Sequence, residues 1–322
     1  MSIEFGMQEN IARNIVLIDG ITRCGKSLFS GILPSLDKFE HIRFITLLEH
    51  VVPAMSLGAI NPSCARSMLR TLMNEIAYDT LLSRNANFRP SDQTGILNYP
   101  RPQVYMERLT QEEGLPIIEK LRSCNYHFPF QTHDIMVNLN HFDSLDIDYK
   151  MIAMYRHPID NIYSWFTRGW GERFLDDPQS FTLSISHNGN ILPWYCANYA
   201  EEWLTLNPME RCVRTALDLL TRSIDQHKKS QHTERILTLT FEDFVQDTDF
   251  QMKRICSFLE TSTTPWTPAY LAEARCPRIL DPKDRTRKLN EFKKGISSEL
   301  FDKLVEFSKQ YEHGLYGLLT KR

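Results

Sequence analysis

The sequence predicts a three-layer α/β/α fold: a central, mostly parallel sheet built around a phosphate loop, with helical insertions. Three observations predict it. Short apolar runs of strand length alternate with stretches of helical spacing along the whole chain. The first run leads directly into a glycine loop and then a helix. Polar groups follow the ends of several strand runs, where ligands sit in sheets of this type.

The first run, Ile15-Val16-Leu17-Ile18, reads as a buried parallel strand. Gly20-Ile21-Thr22-Arg23-Cys24-Gly25-Lys26-Ser27 matches the whole G-x-x-x-x-G-K-S/T phosphate loop. Helix-compatible Leu28, Phe29, Ile32 and Leu33 follow, with Pro34 near the expected end. Glycines at both ends let the backbone turn and approach a ligand. Loop amides and the helix start then face an anion, with a charge from Lys26 and a hydroxyl from Ser27.

Farther along, residues 41–48 read as a second strand and 63–82 as a helix with Met68, Leu69, Leu72, Met73 and Ile76 on one side. Residues 84–102 are polar and proline-punctuated, a long loop, and 115–124 form a short helix. A strand-like segment over 126–133 carries Pro129, which is unfavourable within a ladder. A better strand, Tyr149 to Tyr155, ends at Arg156-His157-Pro158, and a helix runs from Pro158 to about Thr167. Residues 169–199 are irregular and aromatic, with Trp170, Phe174, Phe181, Trp194, Tyr195 and Tyr199. Helix over 201–229, broken near Pro208, precedes a strand over 235–240 and then Phe241-Glu242-Asp243. Helices over 250–259 and 297–311 flank a basic loop over 276–294. One domain spanning 1–322 accommodates all of this, with a lid or acceptor insert at about 169–205 and the basic loop at about 275–295.

Composition narrows the function. A formal net charge of −3 over 322 residues argues against a nucleic-acid binder held by charge, so basic groups must be local to a ligand. The seven cysteines are scattered without a C-x-x-C pair, which suggests neither a zinc site nor a redox pair, and fits reduced thiols in a cytoplasmic protein. The N-terminal stretch lacks the apolar core of a signal peptide. No run approaches the ~18 apolar residues of a membrane span.

Four candidate groups lie at strand ends: the phosphate loop, His133, Arg156 and Phe241-Glu242-Asp243. Arg156 leaves a strand, and Ser164 stands eight residues on, in the following helix. A guanidinium fork and a hydroxyl at that spacing fit one anion. The same spacing also fits an arginine capping carbonyls and a serine bonding its own helix.

On these residues the chain resembles the sulfotransferases that use 3′-phosphoadenosine 5′-phosphosulfate (PAPS). That family carries a loop of the form G-x-P-K/R-S-G-T-T/S after its first strand. Gly20 to Ser27 is similar, with Arg23 at the basic position, Thr22 in place of proline and Lys26 in place of threonine. The family's R-D/N-P-x-D signature, with a serine eight residues after the arginine, is matched by Arg156, Pro158, Asp160 and Ser164. The K-T-H segment that holds the base in the cytosolic branch corresponds to Gln131-Thr132-His133, and its Y-E-D segment to Phe241-Glu242-Asp243.

The resemblance implies PAPS as cofactor, held by Arg23, Cys24, Gly25, Lys26, Ser27, Leu28, Arg156, Ser164, Phe241, Arg285, Arg287 and Lys288. It implies His133 as general base, with Arg23 and Lys26 stabilising charge on the leaving nucleotide and no metal ion. Glu49 and His187 are the reserve bases. The acceptor is a small molecule or a glycan; Trp170, Trp194 and Tyr195 present flat apolar surfaces to it, or else pin the insert to the core. The competing expectation is a phosphate-loop kinase using Mg-ATP. It draws on Lys26-Ser27 and needs an acidic magnesium ligand at a strand end, Glu49 or Glu242-Asp243.

Overall fold

The computed structural model describes residues 4–173 and 177–315. Seven strands occur among them: β1 (Ile15–Asp19), β2 (Arg43–Phe44), β3 (Phe128–Gln131), β4 (Tyr149–Tyr155), β5 (Ser184–His187), β6 (Asn190–Pro193) and β7 (Ile236–Thr240). Five form one sheet in the order β2-β3-β1-β4-β7, and β5 and β6 form a separate hairpin. Every ladder of the larger sheet is parallel. Its residues alternate between two cores. Ile15, Leu17, Phe130, Met151 and Tyr155 pack on one face, and Val16, Ile18, Ile152, Met154 and Leu239 on the other. A sheet covered on both faces explains why its strands read as unbroken apolar runs. This is the expected α/β sandwich, with the phosphate loop leaving its middle strand.

Three stretches differ from the sequence reading. Residues 41–48 are not one strand: β2 spans two residues, and a helix covers Thr46–Ser56. Leu48, Val51, Val52 and Met55 are its buried face. That spacing has helical period, and it outweighs the short β-branched start. The basic 276–294 stretch is largely helical too, over Pro282–Gly295. Asp281 caps it by accepting from the Lys283 amide at 2.9 Å, with proline at the first helical position. The aromatic insert is more ordered than expected, since it contains the β5–β6 hairpin. Phe174 of that insert lies outside the described residues.

Pro129 does sit inside a strand. Phe128 and Thr132 donate to Asn14 and Ile18 on the β1 side, so the donor that Pro129 lacks would face β2. There the neighbouring strand pairs only through Phe130 and Gln131. The missing hydrogen bond therefore falls where the ladder is already short. Among the described residues, no helix is long and apolar enough to cross a membrane.

Candidate active site

The phosphate loop follows the buried strand β1. Gly20 and Gly25 have φ of 146° and 108°. A Cβ on Gly25 would lie 2.6 Å from the Phe241 ring, so close approach as well as conformation demands glycine there. A 3-10 turn over Lys26–Leu28 and a helical turn over Phe29–Ile32 follow, and no side chain caps the start at Gly25. Lys26 is buried rather than projecting. Its Nζ donates to the carbonyls of Gly20 and, at 3.0 Å, Ile21. Cys24 is buried beneath the loop, and burial pushes its thiol pKa up. Ser27 and Leu28 line a polar cleft with Asn98 and Tyr270.

Arg23 takes up the outward role. It adopts φ 69°, and its Nε donates to Ser164 Oγ at 3.0 Å. Arg156 Nη1 donates to the Arg23 carbonyl at 3.2 Å. Burial first, and then the like charges of Arg168 and Arg156, hold the Arg23 pKa below its ordinary value. Cations pressed together in this way are stabilised by an anion. Arg156 also lies over the Phe241 ring, 4.6 Å from its centroid, and its Nε is buried with no partner among the described residues. Arg278 lies 5.1 Å from the same ring. Phe241 is itself buried, the first residue of the helix Phe241–Gln246.

The late basic residues reach the neighbourhood through ion pairs. Asp160 accepts from Arg285 at 2.9 and 3.1 Å and from Lys288 at 2.7 Å. Burial opposes ionisation of Asp160, but those donors outweigh it and keep its pKa below the usual value. Arg285, Lys288, Arg156 and Phe241 line one open cavity of about 750 Å³. Arg287 points elsewhere, to Tyr163, Asp284 and Glu291.

A second cavity, of about 320 Å³, is lined in part by Thr22. His133 lines it, and its ring Nδ1 and backbone amide both meet Glu49 Oε1, at 2.9 and 2.8 Å. With Nδ1–H donating to the carboxylate, Nε2 is left to accept a proton. Asp19, at the end of β1, fixes the turn that carries His133. It accepts from Thr132 Oγ1 at 2.8 Å and from the amides of Ile135 and Met136 at 3.1 and 2.9 Å. Asp134 lies within that turn at φ 62° and also lines the cavity. Burial pushes its pKa up to about 7. Trp165, Trp170, Trp194 and Tyr195 form aromatic walls. The Thr22 carbonyl is held by Asn161 Nδ2 at 3.0 Å and by Trp165 Nε1 at 2.5 Å. His187 is not brought to this cavity; it meets Glu201 at 3.0 Å near the hairpin.

The family model of the sulfotransferase domain matches residues 16–294, which include both cavities' principal side chains. The chain belongs to the sulfotransferase domain family. Among solved structures, this sulfotransferase is similar to the sulfotransferase domain from the curacin biosynthetic pathway, at 14% identity and a TM-score of 0.45, covering 91% of this chain and 97% of that one. It is similar to a sulfotransferase from Alicyclobacillus acidocaldarius, at 15% identity and a TM-score of 0.44, covering 96% and 100%. Retinol dehydratase in complex with androsterone and inactive cofactor PAP matches at 14% identity and a TM-score of 0.25, covering 92% and 71%. No curated protein matches the chain.

Several groups of this sulfotransferase's site escaped the sequence reading. Arg168 stands four residues after Ser164, just past the end of the helix Pro158–Phe166. Asp134 adjoins His133 in sequence, but nothing in the sequence marks it as sealed from partners. Glu49 was considered as a base; its contact with His133 spans 84 residues and exists only in three dimensions.

Proposed function

We propose that this sulfotransferase moves a sulfuryl group from PAPS to a hydroxyl or amine of a small-molecule or carbohydrate acceptor, with His133 as general base. One observation carries the reading: Arg23, which meets Ser164 and Arg156, adjoins Thr22 in the loop, and Thr22 lines the cavity that holds the Glu49–His133 pair. The buried, unpartnered Arg156 Nε and the crowded Arg23 charge fit a donor that brings several negative charges. Arg156 and Ser164, with Arg285 and Lys288 behind Asp160, would hold its 3′-phosphate. The loop amides and Ser27 would hold its 5′ end, with Lys26 adding charge from beneath.

The donor supplies a sulfuryl group on a good leaving nucleotide. His133 Nε2 takes the acceptor proton as the acceptor atom bonds to sulfur and the bond from sulfur to the bridging oxygen breaks. Glu49 keeps the imidazole in the required tautomer and stabilises the imidazolium. Arg23 and the loop amides receive the negative charge left on the bisphosphate. Losing one such donor costs about 3 kcal/mol at the transition state, and a positioned base contributes roughly 10²–10⁴-fold. A magnesium-dependent kinase reading would draw on Glu49, or on Glu242 and Asp243. Glu49 is bound to His133, and Glu242 accepts from the His157 amide at 3.0 Å and Tyr311 OH at 2.7 Å.

Thermal shifts test the donor. We expect 3′,5′-adenosine bisphosphate to raise Tm without added metal, and Arg156→Ala to remove most of the rise. A shift with Mg-ATP alone would overturn the reading. For the base, His133→Ala is expected to abolish labelled transfer while leaving bisphosphate binding near normal. Glu49→Gln should lower kcat about 10–100-fold, within the range for a base and its support. Full turnover by His133→Ala would move the role to another group.

A further inference from the structure

We propose that the aromatic cavity takes an acceptor that carries an ammonium group beside its reacting hydroxyl, and that Asp134 selects it. The word acceptor rests on the sulfuryl-transfer reading; the binding claim does not. Two carboxylates line the cavity, Glu49 and Asp134, and among the described residues no lysine or arginine does. Glu49 is already occupied by the His133 ring and amide. Asp134 has no such partner. Its Oδ1 is sealed from solvent and receives no hydrogen bond among the described residues.

A buried carboxylate oxygen without a donor is costly, and the part of Asp134 that lines the cavity is where a guest can bring the compensating positive charge. Around it stand Phe44, Trp165, Trp170, Trp194 and Tyr195. Their π faces attract a cation, while their bodies take the flat apolar part of the guest. An anionic acceptor would meet two carboxylates and no fixed cation. A neutral one would bring Asp134 no compensating charge. An amino alcohol or aminophenol satisfies both features: the hydroxyl faces His133 and the ammonium meets Asp134. The ammonium has no lone pair, so it stays unreacted while the oxygen is the nucleophile. Burial raises the Asp134 pKa to about 7, and a neighbouring cation favours its ionised form.

The choice of variant follows from the backbone. Asp134 has φ 62°, which asparagine and glycine tolerate and most residues do not. Asp134→Asn therefore removes the charge without straining the turn, and Asp134→Gly removes the side chain. Three probes of matched size are titrated calorimetrically into the full chain, with and without 3′,5′-adenosine bisphosphate: 4-(2-aminoethyl)phenol, 4-(2-hydroxyethyl)phenol and 4-hydroxyphenylacetate. We expect the ammonium probe to bind at least about tenfold tighter than the hydroxyl probe, a difference of about 1.4 kcal/mol, and the carboxylate probe to bind weakest. In Asp134→Asn and Asp134→Gly the ammonium and hydroxyl probes should converge, with the hydroxyl probe's affinity little changed. Equal affinities in the wild type, no saturable binding of the ammonium probe, or an equal loss for all three probes in the variants overturns the proposal. Failure of the bisphosphate to bind overturns the sulfuryl-transfer reading instead, and the probe series on the free protein still decides the role of Asp134.

Discussion

A carboxylate that must ionise in a sealed corner is paid for by the rest of the fold, and Asp134 is such a residue. Its pKa of about 7 in the folded protein stands above the usual 3.8. The folded state thus holds a proton that the unfolded state has lost between those two values. The associated stability is complete below about pH 4, declines as pH rises through 7, and is gone above it. Asp134→Asn does not titrate, so its Tm should exceed the wild type's most at pH 8 and match it near pH 4. Each 1 kcal/mol relieved raises Tm by about 2–4 °C. A gain that is constant with pH would mean that Asp134 already has a partner. Lys26 shows a different local decision. Its motif position announces a ligand-facing lysine, yet its ammonium closes the loop on Gly20 and Ile21, and Arg23 faces outward at positive φ. Sequence names both cations; the backbone turn chooses between them.

At the scale of elements, the helix Pro282–Gly295 is tied to the helix Pro158–Phe166 through Asp160. By charge alone, Arg285 to Lys288 reads as a basic loop, whereas the stretch is helical. The Asp281-Pro282 start and the inward Phe292 are the helix signals. Among the described residues, Asp160→Asn leaves Arg285 the 4.0 Å pair with Glu312 and Lys288 the pair with Asp284. We expect a loss of about 2 kcal/mol, below the 3–5 kcal/mol of a fully buried broken pair because both partners keep some solvent. Asp160 has a lowered pKa, so its contribution is present above the unfolded value of about 3.8 and lost as pH falls through the lower folded one. Denaturant unfolding at pH 7 and pH 3 checks this: the difference between wild type and variant should shrink at the lower pH.

Over the whole molecule, the five-stranded sheet brings the loop after β1, the turn after β3, the helix after β4 and the helix after β7 to one end. Near the far edge, Arg108 grips buried Glu40 with two 2.7 Å hydrogen bonds, and Tyr105 OH adds a third at 2.5 Å. None of these residues lines either cavity. Glu40→Gln strands a buried guanidinium, so we expect about 3–5 kcal/mol of lost stability with bisphosphate Kd unchanged, read by denaturant unfolding and calorimetry. A weakened Kd would show that the edge supports the site. The sequence by itself determined the sheet and most of its strands, the glycine turn of the phosphate loop, and the eight-residue spacing of Arg156 and Ser164 in the chain. Those follow from short-range periodicity and from glycine chemistry, which neighbouring residues carry. Only the tertiary structure decided that Glu49 holds His133, that Asp160 meets Arg285 and Lys288, and that Asp134 Oδ1 has no donor among the described residues. Each of these depends on which groups from distant segments share a low-dielectric space, and one-dimensional spacing does not encode that.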